Sequence, residues 1–213
     1  MSTKTKGYYD IEIDFEKALM DGGVVEEIFY LNDLKQRKIY LNSDIDQLTV
    51  ADVARHILQF NKEDKGKAIE DRTPILLYIV SNGGEVDAGF ELIDVIQSSK
   101  TPVYTVNLGY QYSMGFLIGL AGHKRFATVN AKYLMHDGSN FVYNSGAKAQ
   151  DQMEFNRKVE ERVKQYILSR SKVTSTEYDS KLRVEWYLFA DEAKEKGFVD
   201  YIIGEDCDID SVI

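Results

Sequence analysis

The 213 residues include only one cysteine, two prolines, one tryptophan and three histidines. The lone Cys207 excludes an internal disulfide and fits a reducing compartment. It lies in an acidic stretch without a Cys or His cluster, so no metal and no other cofactor is expected. The prolines, Pro74 and Pro102, are isolated, and no low-complexity linker or internal repeat interrupts the chain. No apolar run approaches the roughly 20 residues needed to cross a bilayer. The opening Met1-Ser2-Thr3-Lys4-Thr5-Lys6-Gly7 is polar and no apolar signal core follows, so a cytoplasmic chain without a secretory signal is expected. Basic charge is also scarce: 26 Lys and Arg face 35 Asp and Glu, a net −9. That balance argues against nucleic acid as the main partner, since phosphate binding needs concentrated cations, and no membrane partner is expected.

Hydrophobic residues make up 44% and aromatic residues 12%, enough for one packed domain. Residues 74–80 are nearly all apolar, as in a strand buried on both faces of a parallel sheet. A helix is expected over 86–97, where Val86, Phe90, Ile93 and Ile96 recur at helical spacing. Another is expected over 46–61, from Val50, Val53, Ala54, Ile57 and Leu58. Further strands are expected at 38–41, 103–108, 125–128, 133–135 and 197–203. Further helices are expected at 114–121, 150–169 and 190–196. Residues 11–15 alternate like a strand, but 1–27 as a whole is ambiguous. Residues 205–213 read as a solvated acidic tail. Alternating strands and helices define a layered α/β fold.

Three loops after buried strands carry polar groups, and ligand sites gather at such strand ends. The first, Ser81-Asn82-Gly83-Gly84, lets the backbone approach a ligand and turn its N–H groups toward it. An oxyanion hole, a phosphate nest and a plain tight turn all fit. No P-loop lysine and no Gly-x-Gly-x-x-Gly follows, which disfavours a nucleotide site. The second is Ser113, where 103–108 gives way to the apolar Met114-Gly115-Phe116-Leu117-Ile118. Such a junction suits an N-cap serine, and equally a nucleophile held out of the sheet. The third is His136, ending the short strand 133–135. His56 lies off the apolar stripe of its helix, and His123 adjoins Lys124 and Arg125 in solvent. His136 is thus the candidate general base for Ser113. Its orienting carboxylate is one of Asp137, Asp179, Glu185 and Asp191. Asp137 is poorly placed, because neighbours on a strand point to opposite faces.

Gly83-Gly84, Ser113-Met114-Gly115, Met135-His136, Ala190-Asp191-Glu192-Ala193 and Gly197-Phe198-Val199-Asp200 together resemble the Clp protease proteolytic subunit family, ClpP. The resemblance covers about residues 26–204, with the motifs in family order. It implies a ClpP/crotonase-like layered β-α-β superhelical fold, with a peptidase domain over 28–204 and a protruding handle helix over about 148–170. It also implies a serine endopeptidase cleaving unfolded proteins or peptides inside an oligomeric chamber. Ser113 would be the nucleophile, His136 the base, and the Gly84 and Met114 N–H groups the oxyanion hole. The family's aspartate position falls on Glu185, a departure, with Asp179 held in reserve. The usual Ser-Pro-Gly-Gly reads Ser81-Asn82-Gly83-Gly84. The stretch from Ser113 to His136 is shorter than usual, and the Gln-Pro after the histidine is missing.

The resemblance further implies heptameric rings stacked in pairs, joined through the handle helix, and an AAA+ unfoldase of the Clp type as partner. Of the positions matching the unfoldase-docking pocket, Tyr78 keeps its aromatic ring, whereas Leu76 and Ser98 replace aromatics. Two other readings compete: a catalytically weakened ring subunit, and a crotonase-type acyl-CoA enzyme, which shares the oxyanion-hole geometry but needs no Ser–His pair.

Overall fold

The computed structural model describes residues 25–138, 142 and 144–213. The strand expected at 11–15 lies outside these. Chain order runs α1 (Val25–Lys35), β1 (Lys38–Leu41), α2 (Gln47–Glu63), β2 (Ile75–Ser81), α3 (Val86–Ser98), β3 (Val103–Tyr112) and α4 (Met114–Leu120). There follow β4 (Lys124–Thr128), β5 (Lys132–Met135), α5 (Gly146–Arg170), α6 (Ser175–Lys181), β6 (Trp186–Phe189), α7 (Ala190–Glu195) and β7 (Tyr201–Ile203).

The sheet runs β1-β2-β3-β4-β7, all parallel, as the apolar 74–80 run implied. On one face Ile75, Leu77 and Ile79 join the main core with Val53, Ile57, Leu92 and Ile96 of α2 and α3. On the other, Leu76 and Tyr78 cluster with Val106, Phe126, Ile203 and Val212. Each such buried aliphatic side chain contributes roughly 1.5–3 kcal/mol. The α2 start is set by Asp46, whose carboxylate accepts from the Thr49 N–H at 2.8 Å while Thr49 Oγ1 accepts from the Asp46 N–H, a reciprocal cap.

β3 is the element on which the site depends. It runs past the expected 103–108 to Tyr112 and changes partners on the way. Tyr104–Asn107 pair with β4, and Tyr110–Tyr112 pair with β5. Buried Asn107 holds the split: its amide donates to the Lys132 carbonyl, and its side-chain oxygen accepts from the Gly109 N–H, both at 3.0 Å. β5 in turn pairs antiparallel with β6, a strand without a clear sequence signal.

The stretch expected as a handle helix forms one long helix, α5. α5 has 25 residues, about 37 Å at 1.5 Å each. Only Ile167 along it is buried. Its last turns are anchored: Tyr166 donates to the Leu117 carbonyl, and Arg170 to the carbonyls of Leu120, Ala121 and Gly122. Met153 and Phe155, nearer its start, are exposed.

Three expectations change. The final strand is only Tyr201–Ile203, because Gly197 (φ +74°) closes α7 in a Schellman turn, with the Phe198 N–H donating to the Ala193 carbonyl. The tail is not simply solvated: Val212 is buried and its carbonyl accepts from the Tyr78 hydroxyl. Asp206 pairs with Lys194 and accepts from the Ile202 N–H. His56 is buried rather than merely off the stripe, because α1 packs Tyr30 against it, with the hydroxyl 2.7 Å from Nε2.

Candidate active site

The strand register brings the candidate residues together. Tyr112 pairs with Leu134, so Ser113 leaves β3 level with the end of β5. Met135 pairs with Trp186, so His136, one residue beyond β5, lies level with Glu185, one residue before β6. The side chains meet accordingly. His136 Nε2 is 2.9 Å from Ser113 Oγ, and Nδ1 is 3.2 Å from Glu185 Oε1.

Ser113 is not a side-chain cap. It precedes α4, but its hydroxyl makes no capping bond and faces His136 instead. Its backbone has φ 52° and ψ −120°, one of two positive-φ non-glycine residues among those described. Such strain costs on the order of 1–3 kcal/mol and persists where the surroundings hold it. Here the Ser113 N–H donates to the Leu134 carbonyl at 2.9 Å, and the following helix is wholly buried.

The two glycines are required by close approach. A Cβ on Gly83 (φ +104°) would lie 2.7 Å from Ser113 Cβ and 2.9 Å from the Met114 nitrogen. A Cβ on Gly84 (φ +150°) would lie 2.2 Å from the Ile45 carbonyl oxygen. Ile45 bridges this loop, donating to the Gly83 carbonyl and accepting from the Glu85 N–H, each at 2.8 Å. These two bonds straddle Gly84 and leave its N–H without a backbone acceptor among the described residues. Met114 is the first residue of α4, where an N–H has no intrahelical partner.

Asp179, the reserve carboxylate, is engaged elsewhere: Lys164 Nζ donates to both its oxygens at 2.7 and 2.9 Å. Asp137 is exposed. Asp191 lies in the first turn of α7. Among the carboxylates weighed, Glu185 is the one bonded to His136. The pair Tyr187–Glu185 is a contact that sequence reading missed. The Tyr187 hydroxyl donates to Glu185 Oε2 at 2.8 Å, and this bond, then the one to His136, holds the Glu185 carboxyl below the ordinary glutamate range. The signal was present in the i, i+2 spacing, which puts both residues on one face of a strand.

A cavity of about 340 Å³ opens beside Ser113 and His136. Met114, Phe116, Leu117, Met135, Val163 and Ile167 supply apolar lining, and Lys164, Asp179 and Arg183 also line it. No cluster of His, Cys, Asp and Glu fit to hold a metal is found among the described residues.

A serine on a tight strand-to-helix turn, bonded to a histidine that is bonded to a carboxylate, is the arrangement of a serine hydrolase. The Clp protease family model matches residues 24–206, and the chain belongs to that family, as a ClpP-like serine endopeptidase. It is 28% identical to ATP-dependent Clp protease proteolytic subunit 2 of Treponema pallidum, over 86% of this chain and 90% of that protein. It is 34% identical to proteolytic subunit 1 of Streptomyces avermitilis, over 80% and 76% of the two chains. With subunit 3 of Streptomyces coelicolor the identity is 31%, over 83% and 79%.

Proposed function

We propose that Ser113, His136 and Glu185 form the catalytic triad of this peptidase, with the Gly84 and Met114 N–H groups as its oxyanion hole. The observation that carries the reading is the continuous chain from Ser113 Oγ through His136 to Glu185 Oε1, at 2.9 and 3.2 Å. In this reading Nδ1–H donates to Glu185, which leaves Nε2 free to accept the serine proton. Ser113 Oγ attacks the scissile carbonyl carbon as its proton passes to Nε2. The carbonyl oxygen takes the negative charge toward the two N–H donors. His136 then gives that proton to the leaving amine, the C–N bond breaks, and an acyl-Ser113 ester remains. Water attacks the ester by the same proton route and restores the hydroxyl.

The substrates in this reading are unfolded proteins or peptides, cut inside paired heptameric rings of 28–204 domains. The exposed Met153 and Phe155 on the long α5 support joining of rings through that helix. The relatives are named proteolytic subunits of ATP-dependent proteases, which supports a Clp-type AAA+ unfoldase as partner. A cytoplasmic setting fits the lone cysteine. Among the described residues no helix is long and apolar enough to cross a membrane. The weakened-subunit reading is motivated by Glu185 and by the altered docking positions Leu76 and Ser98; the 3.2 Å bond from His136 to Glu185 speaks against the first of these. Turnover of a fluorogenic peptide amide tests the proposal. Ser113→Ala and His136→Ala should each lower kcat at least about 10³-fold, and retained turnover in either overturns it.

A further inference from the structure

Glutamate at the carboxylate position has one more rotatable bond than aspartate, and Glu185 has little burial to hold it: its side chain is 55% exposed. A carboxylate so placed has many rotamers that do not reach His136, and ordering them costs conformational entropy. Yet both its oxygens are engaged, Oε1 by His136 and Oε2 by the Tyr187 hydroxyl. Two bonds to two different oxygens set the plane of the carboxylate as well as its position.

The tyrosine is itself braced. Tyr112, Leu134 and Tyr187 form one cross-strand row over β3, β5 and β6. The Tyr112 and Tyr187 rings meet edge to face, with centroids 5.9 Å apart and planes at 87°. Tyr110 packs on Tyr112 in turn, at 5.0 Å. Tyr112 is the residue before Ser113, so the tyrosine row links the nucleophile's strand to the carboxylate's. Tyr187 is 57% exposed at this position, so core packing alone does not account for a tyrosine there.

We infer that Tyr187 is a positioning residue, whose hydroxyl fixes the Glu185 carboxylate so that Oε1 faces His136 Nδ1. The inference rests on the triad reading above. It adds a fourth member that acts through Glu185 and never touches substrate.

The test is a double-mutant cycle on the full-length assembled protein, using Tyr187→Phe, Glu185→Gln and both together. Tyr187→Phe keeps the ring and its contact with Tyr112 and removes only the hydroxyl. The readouts are kcat and KM on a fluorogenic peptide amide and the rate of Ser113 labelling by a fluorophosphonate. In the native background Tyr187→Phe should lower kcat and the labelling rate about 5- to 10-fold, the size of one modest hydrogen bond. KM should stay unchanged. In the Glu185→Gln background the same substitution should have no effect, because the group it positions is already neutral. Equal losses in both backgrounds, no loss in the native one, or a rise in KM alone overturns the inference. Ser113→Ala is the control on the underlying reading. If it keeps turnover, the triad and the inference fall together. If it is inactive while the cycle is additive, only the inference falls.

Discussion

At Glu185 the side chain is a methylene longer than the family's aspartate, and the bond to His136 is nonetheless made. Removing its charge while keeping its shape should leave His136 poorly oriented. Glu185→Gln is expected to lower kcat by about 10²- to 10⁴-fold with little change in KM, as measured by steady-state peptide hydrolysis. The glycines make a second residue-scale prediction. Gly83→Ala puts a methyl against Ser113 and Met114, and Gly84→Ala puts one against Ile45. Each should cost about 10²- to 10³-fold in kcat, the scale of losing one oxyanion donor. Gly66 is the contrast: its φ is +93°, but a Cβ there meets nothing within 4 Å. Gly66→Ala should lower stability by about 1 kcal/mol in urea titration and leave turnover unchanged.

At the scale of elements, the site depends on β3 serving two partners, and Asn107 bonds across the change. Asn107→Leu removes both hydrogen bonds that hold the point where β3 changes partners and buries an apolar side chain in place of the amide. A loss of about 1–3 kcal/mol is expected in chemical denaturation. Peptide hydrolysis should fall more steeply than stability, because β5 carries His136. The same elements explain what the sequence could and could not disclose. Strand β2 was legible because burial on both faces leaves a continuous apolar run. Helices α2 and α3 were legible because each buries one stripe. Ser113 and His136 were legible because each ends a buried strand. The second half of β3 was not, since Gly109, Tyr110 and Gln111 interrupt its apolar pattern where the partner changes. Strand β6 was not, because four residues with Trp186 and Leu188 buried and Tyr187 and Phe189 exposed read as uniformly apolar. Choosing Glu185 over Asp179 by spacing alone was impossible, because an antiparallel pairing between distant segments decides it. The resemblance pointed to Glu185, and the β5–β6 register sets that residue beside His136.

At the scale of the whole molecule, Asp64 ties α2 to the start of the sheet. It is fully buried, and Arg37 donates to it at 2.9 Å, Lys67 at 2.7 Å and Thr101 at 3.0 Å. Burial alone would raise its pKa, but these donors and the nearby Arg37 charge outweigh it and hold the carboxyl at about 2. A carboxyl depressed in the folded state stabilises above its ordinary pKa and loses that contribution as pH falls through the folded value. Thermal stability should therefore drop between about pH 4 and pH 2 by an amount on the order of 2 kcal/mol from this group. Asp64→Asn should remove most of that acid dependence. Assembly belongs to the same scale: Phe155→Glu on the exposed face of α5 should shift sedimentation toward smaller species while leaving monomer secondary structure intact. Above all, Ser113 should be a nucleophile activated by His136. Intact-protein mass spectrometry after fluorophosphonate treatment, followed by peptide mapping, measures this directly. One adduct per chain is expected, on Ser113, with its loss in His136→Ala. An adduct on another residue, no adduct on the assembled native protein, or equal labelling without His136 contradicts it.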